Sequence, residues 1–162
     1  GSEMCIRDRY ISEFMQLYSN NIRVIDSMPI PVCEFGRAHF SKCFKGEASY
    51  GICASKKETY FGFKFHALTT VDGFLTDYVI TPANIDDRNA VWDLCDKYRS
   101  ISIIGDKGYI NKRLTPELKS ERDIDLLFLK RANSRDNYPK EVRQLLFKVR
   151  RRIETSFSQL TE

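Results

Sequence analysis

Three carboxylates in this sequence occupy positions from which they could act together. Asp106 follows an isoleucine-rich run at residues 101–104 that is typical of a strand buried on both faces, and a glycine lies on either side of its turn. Asp26 lies near the end of a second apolar strand, residues 22–27, and Glu154 lies in an arginine-rich helix near the C-terminus. A lone aspartate after a strand is usually a turn residue, so it is the combination of three that suggests a functional site.

Carboxylates that converge repel one another, and this repulsion favours the binding of divalent cations. Two like charges about 4 Å apart cost on the order of 1 kcal/mol in water and roughly 4 kcal/mol at an effective dielectric constant near 20. Mg²⁺ relieves such repulsion and prefers oxygen ligands and substrate phosphates. Two ions about 4 Å apart can activate an attacking oxygen and stabilise the leaving oxygen of a phosphodiester. The chemistry implied is the cutting or joining of a nucleic-acid backbone.

The order of the predicted elements indicates how one sheet would bring the carboxylates together. The chain reads as strand, long loop, two-stranded hairpin, helix, strand, helix, strand and helix, which is the element order of the ribonuclease H-like fold, an α/β mixed sheet with flanking helices. In that layout the strands that carry Asp26 and Asp106 lie side by side. The C-terminal helix crosses the sheet and delivers Glu154 to the same point.

The hairpin and the last helix are the clearest individual elements. Residues 60–71 alternate between apolar and polar, and Asp72-Gly73 turns the chain back through residues 74–81. His66 lies on the more polar face, where a histidine is more often structural than catalytic. Pro139 opens a helix whose apolar residues recur at spacings of three and four, namely Val142, Leu145, Leu146, Val149, Ile153, Phe157 and Leu160.

The sequence also predicts a helix between the hairpin and Asp106. Asn84 or Asp86 caps its start, and Lys97 and Arg99 lie in its last turn. Two further elements precede the last helix, a helix opened by Thr115-Pro116 and a strand at residues 124–129.

The region after the first strand has little regular pattern. Prolines at positions 29 and 31 predict a stiff extended segment that leaves the strand. Residues 32–59 lack periodicity, and we interpret them as a substrate-facing loop because long loops in compact domains tend to be functional.

Length and composition describe one soluble globular domain. The chain has 162 residues, of which 42% are hydrophobic and 30% charged, and its net charge of +4 is only mildly basic. Neither a signal peptide nor an apolar run long enough for a membrane span appears, so a cytoplasmic location is expected. We divide the chain into an N-terminal segment, residues 1–21, with a cloning remnant and a short amphipathic helix, and a catalytic domain, residues 22–162.

The cysteines offer an alternative reading of the site. Their number is five, and none forms a C-x-x-C pair, so reduced thiols are the simplest interpretation. Cys33, Cys43 and Cys53 recur near His39 and could build a zinc-bound interaction module, although zinc ligand pairs are usually two to four residues apart.

Five motifs in one order resemble the IS982 family of bacterial insertion-sequence transposases, which is similar in turn to the IS4-like DDE transposases. The resemblance covers residues 22–160. The motifs are VIDSMPIPVC at residues 24–33, FGFKFH at 61–66, TPAN at 81–84, GDKGY at 105–109 and RIETSFSQL at 152–160.

The resemblance implies an activity and a set of site residues. Asp26, Asp106 and Glu154 would be the catalytic triad and the ligands of Mg²⁺, for which Mn²⁺ can substitute. Lys107, Arg150 and Arg151 would contact DNA. The implied reaction is metal-dependent cleavage at a transposon end, followed by attack of the freed 3′-hydroxyl on target DNA.

The resemblance also implies partners and shows departures. The partners would be transposon-end and target DNA and a second copy of the chain in a homodimer, and the chain would be a truncated catalytic core of the full family protein. In the IS4-like signature a tyrosine, an arginine, the glutamate and a lysine share one helix, whereas Phe147 and Thr161 replace the tyrosine and lysine here. An alternative is therefore an inactive remnant that binds DNA or oligomerises without turnover.

Overall fold

A six-stranded mixed sheet forms the centre of the structure, a computed structural model that describes residues 20–53, 56–109, 113–128 and 138–161. The predicted helix within residues 1–21 lies outside these ranges. The strands are β1 (Ile22–Pro31), β2 (Ser49–Cys53), β3 (Glu58–Thr70), β4 (Leu75–Pro82), β5 (Ser102–Gly105) and β6 (Asp125–Phe128). The helices are α1 (Asp87–Leu94), α2 (Leu114–Arg122) and α3 (Lys140–Thr161), and two 3₁₀ turns span Phe35–Phe40 and Lys107–Tyr109.

The strand order places the first and the fifth strand side by side. The order is β2-β3-β1-β5-β6, and β4 also pairs with β3, along the same edge as β2. β1 pairs with β3 antiparallel and with β5 parallel, and β5 pairs with β6 parallel. This mixed sheet with helices packed on it is the ribonuclease H-like arrangement that the element order predicts.

Each face of the sheet has its own core. On the face that we call the α3 face, the buried residues include Val24, Phe65, Ala67, Ile104, Val149, Ile153 and Phe157. On the opposite face, called the α1 face, they include Ile25, Leu68, Val91, Leu94, Ile103, Leu118 and Tyr109. Alternate residues of β1, β3 and β5 therefore point to opposite faces, as a period of two requires.

The predicted hairpin is confirmed by the structure. β3 and β4 pair antiparallel on either side of the turn at Asp72-Gly73, and Gly73 has φ of 93°, which L side chains rarely adopt. The predicted alternation holds along β3, because Phe65 and Ala67 belong to the α3 face whereas Leu68 belongs to the α1 face.

The first strand is longer than predicted. β1 continues through Pro29 and Pro31, which pair with Lys64 and Gly62 of β3. Its pairing with β5 extends only from Ile22 to Val24, so the later part of β1 has no strand partner on that side among the described residues. The Val32 N–H donates to the Phe61 carbonyl (2.9 Å), and strand alternation therefore turns both proline nitrogens toward that side, where no ladder bond is lost.

The stretch at residues 32–59 is also more regular than predicted. It contains the 3₁₀ turn Phe35–Phe40 and the strand β2, which pairs with the first half of β3. β2 holds its place through contacts that are distant in sequence, such as that between the rings of Tyr50 and Phe61, whose centroids are 5.0 Å apart. Such cross-strand pairs leave no periodic signal in so short a strand.

The predicted helices are present with shifted limits. Asp86, and not Asn84, caps α1, accepting a hydrogen bond from the Arg88 N–H (3.0 Å). α1 ends at Leu94, before the predicted last turn, although the predicted buried residues Cys95 and Tyr98 are buried in the turn that follows.

The apolar stripe of α3 is only partly buried. Leu146, Val149, Ile153 and Phe157 pack on the sheet, whereas Val142, Leu145 and Leu160 are exposed. The buried part spans about three turns and the helix about six, so its ends extend past the surface on which it packs.

Two remaining expectations concern cysteine and the membrane. Cys33 and Cys43 are free thiols, and within the described ranges Cys33, Cys43 and Cys53 do not form a group that could hold a metal ion, which removes support from the zinc-module interpretation. None of the helices that the structure describes is both long and apolar enough to span a bilayer.

Candidate active site

Strand register brings the two predicted aspartates together. The last parallel pair of β1 and β5 is Val24 with Ile104, and Asp26 and Asp106 each follow two residues later. Val24 and Ile104 both face α3, so a period of two directs both aspartates to the same face. Asp106 stands where β5 ends, and its carbonyl accepts a hydrogen bond from the Tyr109 N–H (3.1 Å) that closes the following 3₁₀ turn.

The hairpin turn fixes the position of α3 along the sheet. The Arg152 guanidinium lies 2.7 Å from the Asp72 carboxylate and also donates to the Val71 carbonyl (2.9 Å). One turn farther along, the Ser156 hydroxyl donates to the Gly73 carbonyl (2.7 Å). These bonds, together with the buried stripe, set the position of the helix that carries the third predicted carboxylate.

Glu154 reaches the pair of aspartates through Arg150. Arg150 Nη1 lies 3.2 Å from Asp106 Oδ1, and Arg150 Nε lies 3.7 Å from Glu154 Oε1. At 3.7 Å the contact between Arg150 and Glu154 is an ion pair but too long for a hydrogen bond, and the buried Arg150 Nε has no hydrogen-bond partner among the described residues. One guanidinium therefore stands among three carboxylates.

Asp26 is the most enclosed of the three carboxylates. Burial raises its pKa to about 6, and the negative charges of Asp106 and Glu154 act in the same direction. The Ser27 N–H, which donates to Asp26 Oδ1 (2.9 Å), and the Arg150 guanidinium oppose this rise. The shift therefore comes mainly from desolvation, which the Ser27 N–H and the Arg150 guanidinium only partly offset.

The donor chemistry of the cluster fits a hard divalent cation. All three side chains offer oxygen, and an added cation would favour the ionised form of Asp26, whose pKa is raised mainly by burial and also by the charges of Asp106 and Glu154. Across the described ranges, no three acidic, imidazole or thiol groups are close enough together to enclose a metal ion. In this conformation the Arg150 guanidinium supplies the positive charge.

The other predicted site residues lie around this cluster. Arg151 is exposed on α3, next to the paired Arg150. Phe147, which replaces the signature tyrosine, has 50% of its surface exposed. Lys107 opens the 3₁₀ turn after Asp106 and Thr161 ends α3, but their side chains lie outside what the structure describes.

A second polar cluster, not predicted from the sequence, lies behind the aspartates on the α1 face. Lys64 of β3 pairs with Asp87, the first residue of α1, at 2.6 Å. His66 is fully buried beside it and bonds to Thr81 (2.9 Å), in agreement with the structural role predicted for this histidine. Lys64 lies inside the FGFKFH motif, and Asp87 follows the TPAN motif by three residues. These positions were the sequence signal from which the cluster could have been found.

Comparison with known proteins identifies the family of the chain. A search of curated proteins finds no significant match. Among solved structures, the chain is similar to a piggyBac transposase in a synaptic complex with hairpin DNA, with 13% identity and a TM-score of 0.46, covering 76% of this chain and 25% of that one. The family model described as "Transposase DDE domain" matches residues 17–162. The chain therefore belongs to the transposase DDE domain family.

Proposed function

We propose that this domain cleaves DNA strands and transfers the cut ends to target DNA in a metal-dependent reaction, as an insertion-sequence transposase of the IS982 type acting in a bacterial cytoplasm. The observation that carries the proposal is the register of β1 and β5, with Asp26 and Asp106 at equivalent positions on one face. The ion pairs of Arg150, which connect Asp106 and Glu154, add the third carboxylate.

In the proposed reaction the three carboxylates hold Mg²⁺, or Mn²⁺ in its place. The bound metal supplies Lewis-acid activation of the attacking oxygen and stabilisation of the leaving oxygen. Asp26 and Asp106, supported by adjacent strands, orient the site, and Glu154 completes it from α3. Because the rise in the Asp26 pKa comes from desolvation and like charges, its carboxylate gains most from an added cation.

In this proposal Arg150 exchanges its carboxylate partners for a DNA phosphate. It pairs with Asp106 and Glu154 in the metal-free protein. With a cation held by the carboxylates, its planar guanidinium would be available for a DNA phosphate, for which arginine is well suited. Arg151 and Lys107 add further phosphate contacts, and a homodimer would bring two transposon ends together.

Metal-induced stabilisation and DNA nicking together test the proposal. Thermal unfolding is measured in chelator and in millimolar Mg²⁺ or Mn²⁺, for the wild type and for an Asp26→Asn/Asp106→Asn variant. Metal that binds only the folded state raises the midpoint, by about 2.7 kcal/mol of stability at a hundredfold excess over Kd. We expect this rise, and nicking of supercoiled and transposon-end DNA, in the wild type only.

Two other outcomes have defined meanings. If the wild type and the variant respond alike to metal, the carboxylates do not form the metal site and the proposal fails. If the wild type binds DNA without metal-dependent nicking, the inactive remnant is the better description of this chain.

A further inference from the structure

The polar cluster on the α1 face is built around an ion pair with short contacts. Lys64 Nζ lies 2.6 Å from Asp87 Oδ1 and also donates to the Ile85 carbonyl at 2.6 Å. Both side chains are largely shielded, with 19% and 26% of their surfaces exposed. The pair therefore joins the middle of β3 to the start of α1, and both charges are satisfied within the protein.

The second oxygen of Asp87, Oδ2, reaches β1 beside Asp26 and the turn that follows Asp106 at the end of β5. The Ser27 hydroxyl donates to Asp87 Oδ2 (3.5 Å), and the Ser27 N–H donates to Asp26 Oδ1 (2.9 Å). The same Oδ2 lies only 3.6 Å from where a Cβ would stand on Gly108, in the turn that follows Asp106. Asp87 thus bonds to the residue after Asp26 and lies beside the turn that follows Asp106.

The surroundings leave this carboxylate little freedom. Tyr109 is 1% exposed and packs on the α1 face, with ring carbon Cδ2 3.6 Å from where a Cβ on Gly105 would lie. Burial raises the pKa of Tyr109, and the charge of Asp87 adds to this effect, so the phenol stays neutral beside the carboxylate. The buried Tyr109 ring and the ion pair with Lys64 therefore hold the Asp87 carboxylate beside β1 and the turn after β5.

We propose that Asp87, held by Lys64, is a positioning residue that fixes the separation and orientation of Asp26 and Asp106 from the opposite face of the sheet. This inference rests on the proposed function, because it assigns Asp87 a role in forming the metal site. Partners of this kind, one layer behind the ligands, typically change metal affinity or activity by 10- to 100-fold when they are replaced.

Two simpler effects predict different results for the two partners of the ion pair. If Asp87 acts only through its charge, Asp87→Asn weakens Mn²⁺ binding, whereas Lys64→Met, which removes a positive charge, tightens it. If the pair only stabilises the fold, neither replacement changes the affinity of the folded protein. Positioning predicts that both replacements weaken binding, and that Lys64→Arg, which keeps the charge and the donors, largely restores it.

The experiment measures the Mn²⁺ dissociation constant of each folded variant by titration calorimetry, using the whole chain. We expect Asp87→Asn, Lys64→Met and the charge-conserving double variant Lys64→Met/Asp87→Asn to bind about tenfold more weakly than the wild type. Asp77→Asn is the matched control, because Asp77 forms a comparable ion pair with Lys97 (2.7 Å) and a hydrogen bond with Tyr98 away from the aspartates. Its affinity should equal that of the wild type.

A milder variant covers the case in which the ion-pair variants do not fold. Ser27→Ala removes only the hydroxyl that links β1 to Asp87 and keeps the N–H that Asp26 accepts. Positioning predicts weaker Mn²⁺ binding by at least about threefold, less than the 10- to 100-fold typical of such partners because the Ser27–Asp87 hydrogen bond is long (3.5 Å). An unchanged dissociation constant in Ser27→Ala, or in folded Asp87→Asn, would overturn the inference.

The result also separates this inference from the proposed function. If the wild type binds Mn²⁺, the Asp26→Asn/Asp106→Asn variant does not and Asp87→Asn binds as the wild type does, only the positioning role fails. If that double aspartate variant binds Mn²⁺ as the wild type does, the carboxylate site itself is wrong and both proposals fail.

Discussion

The two faces of β1 carry two polar clusters whose charges are balanced differently. On the α1 face, one lysine meets one aspartate at 2.6 Å, and a backbone carbonyl accepts a second hydrogen bond from the ammonium group. On the α3 face, Arg150 is the cation that the described side chains place beside Asp106 at 3.2 Å and Glu154 at 3.7 Å, with Asp26 close enough for its pKa to respond. The first cluster is neutral within itself, whereas the second has two more negative charges than positive ones when all its groups are ionised.

Solvent access differs in the same direction. Exposure of the Lys64 and Asp87 side chains is 19% and 26%, but it rises to 38% for Asp106 and 55% for Glu154. In a shielded and neutral cluster each charge keeps its partner, and removing either one would leave an unpaired charge in a poorly solvated position. An open cluster with excess negative charge remains available to a cation from solution, and this contrast supports a metal site on the α3 face.

The largest expected effect comes from neutralising the enclosed carboxylate of the open cluster. In chelator at pH 7, Asp26→Asn should raise the free energy of unfolding by at most about 3 kcal/mol, because the pKa of Asp26 rises from 3.8 to about 6 and each unit corresponds to about 1.4 kcal/mol. The melting temperature would increase by up to roughly 10 °C. The asparagine oxygen still accepts the Ser27 N–H.

The pH dependence of the same variant provides the control. Since the folded pKa is the higher one, the contribution of Asp26 to stability is fully present below about pH 4 and is lost as the pH rises through 6. Wild type and Asp26→Asn should therefore have similar stability near pH 4 and diverge toward pH 7 in chemical denaturation. A difference that does not change with pH would contradict the raised pKa.

A smaller effect is expected from removing the cation of the open cluster. In chelator, Arg150→Met should lower the free energy of unfolding by about 2 kcal/mol, less than the 3–5 kcal/mol typical of a broken buried pair, because Asp106 and Glu154 are partly solvated. Saturating Mn²⁺ should then raise the melting temperature more than in the wild type, since metal no longer competes with the guanidinium.

The neighbouring arginine separates this effect from a general change in charge. Arg151→Met removes the same charge from an exposed position and should change stability by less than about 0.5 kcal/mol. If Arg150→Met and the wild type gain the same stability from Mn²⁺, the guanidinium does not share the site with metal.

The sequence predicted the carboxylate cluster on the α3 face better than the Lys64–Asp87 pair on the α1 face, for physical reasons. Asp26 and Asp106 follow apolar strands, and strand order with a period of two then determines where they meet. Glu154 lies on a helix with a strong apolar rhythm, which indicates the buried face. The pairing of Lys64 with Asp87 depends on how far α1 lies from β3, a distance that no local pattern encodes.

The errors in the predicted fold also arise from contacts between residues that are distant in sequence. The strand β2 and the second half of β1 are maintained by pairing with β3, residues distant in the chain, whereas prolines and missing periodicity locally indicated a loop. The choice between Asn84 and Asp86 as the helix cap likewise depended on tertiary placement, because the side-chain oxygen of Asn84 instead accepts a hydrogen bond from the Ser49 hydroxyl of β2 (2.9 Å). Local rules gave the elements, and long-range contacts set their limits.

The smallest expected effect tests whether Asp87 differs from the carboxylate next to it. Asp86 is exposed, caps α1 through the Arg88 N–H and is paired with the Arg88 side chain, which lowers its pKa to about 2. Asp86→Ala should cost about 1 kcal/mol of stability, the usual value of an N-cap. Because the lowered pKa makes the ionised cap stabilising above about pH 4, this cost should shrink as the pH falls toward 2. Mn²⁺ affinity should stay at the wild-type value; a tenfold loss would mean that any disturbance of the start of α1 affects the site and that Asp87 has no special role.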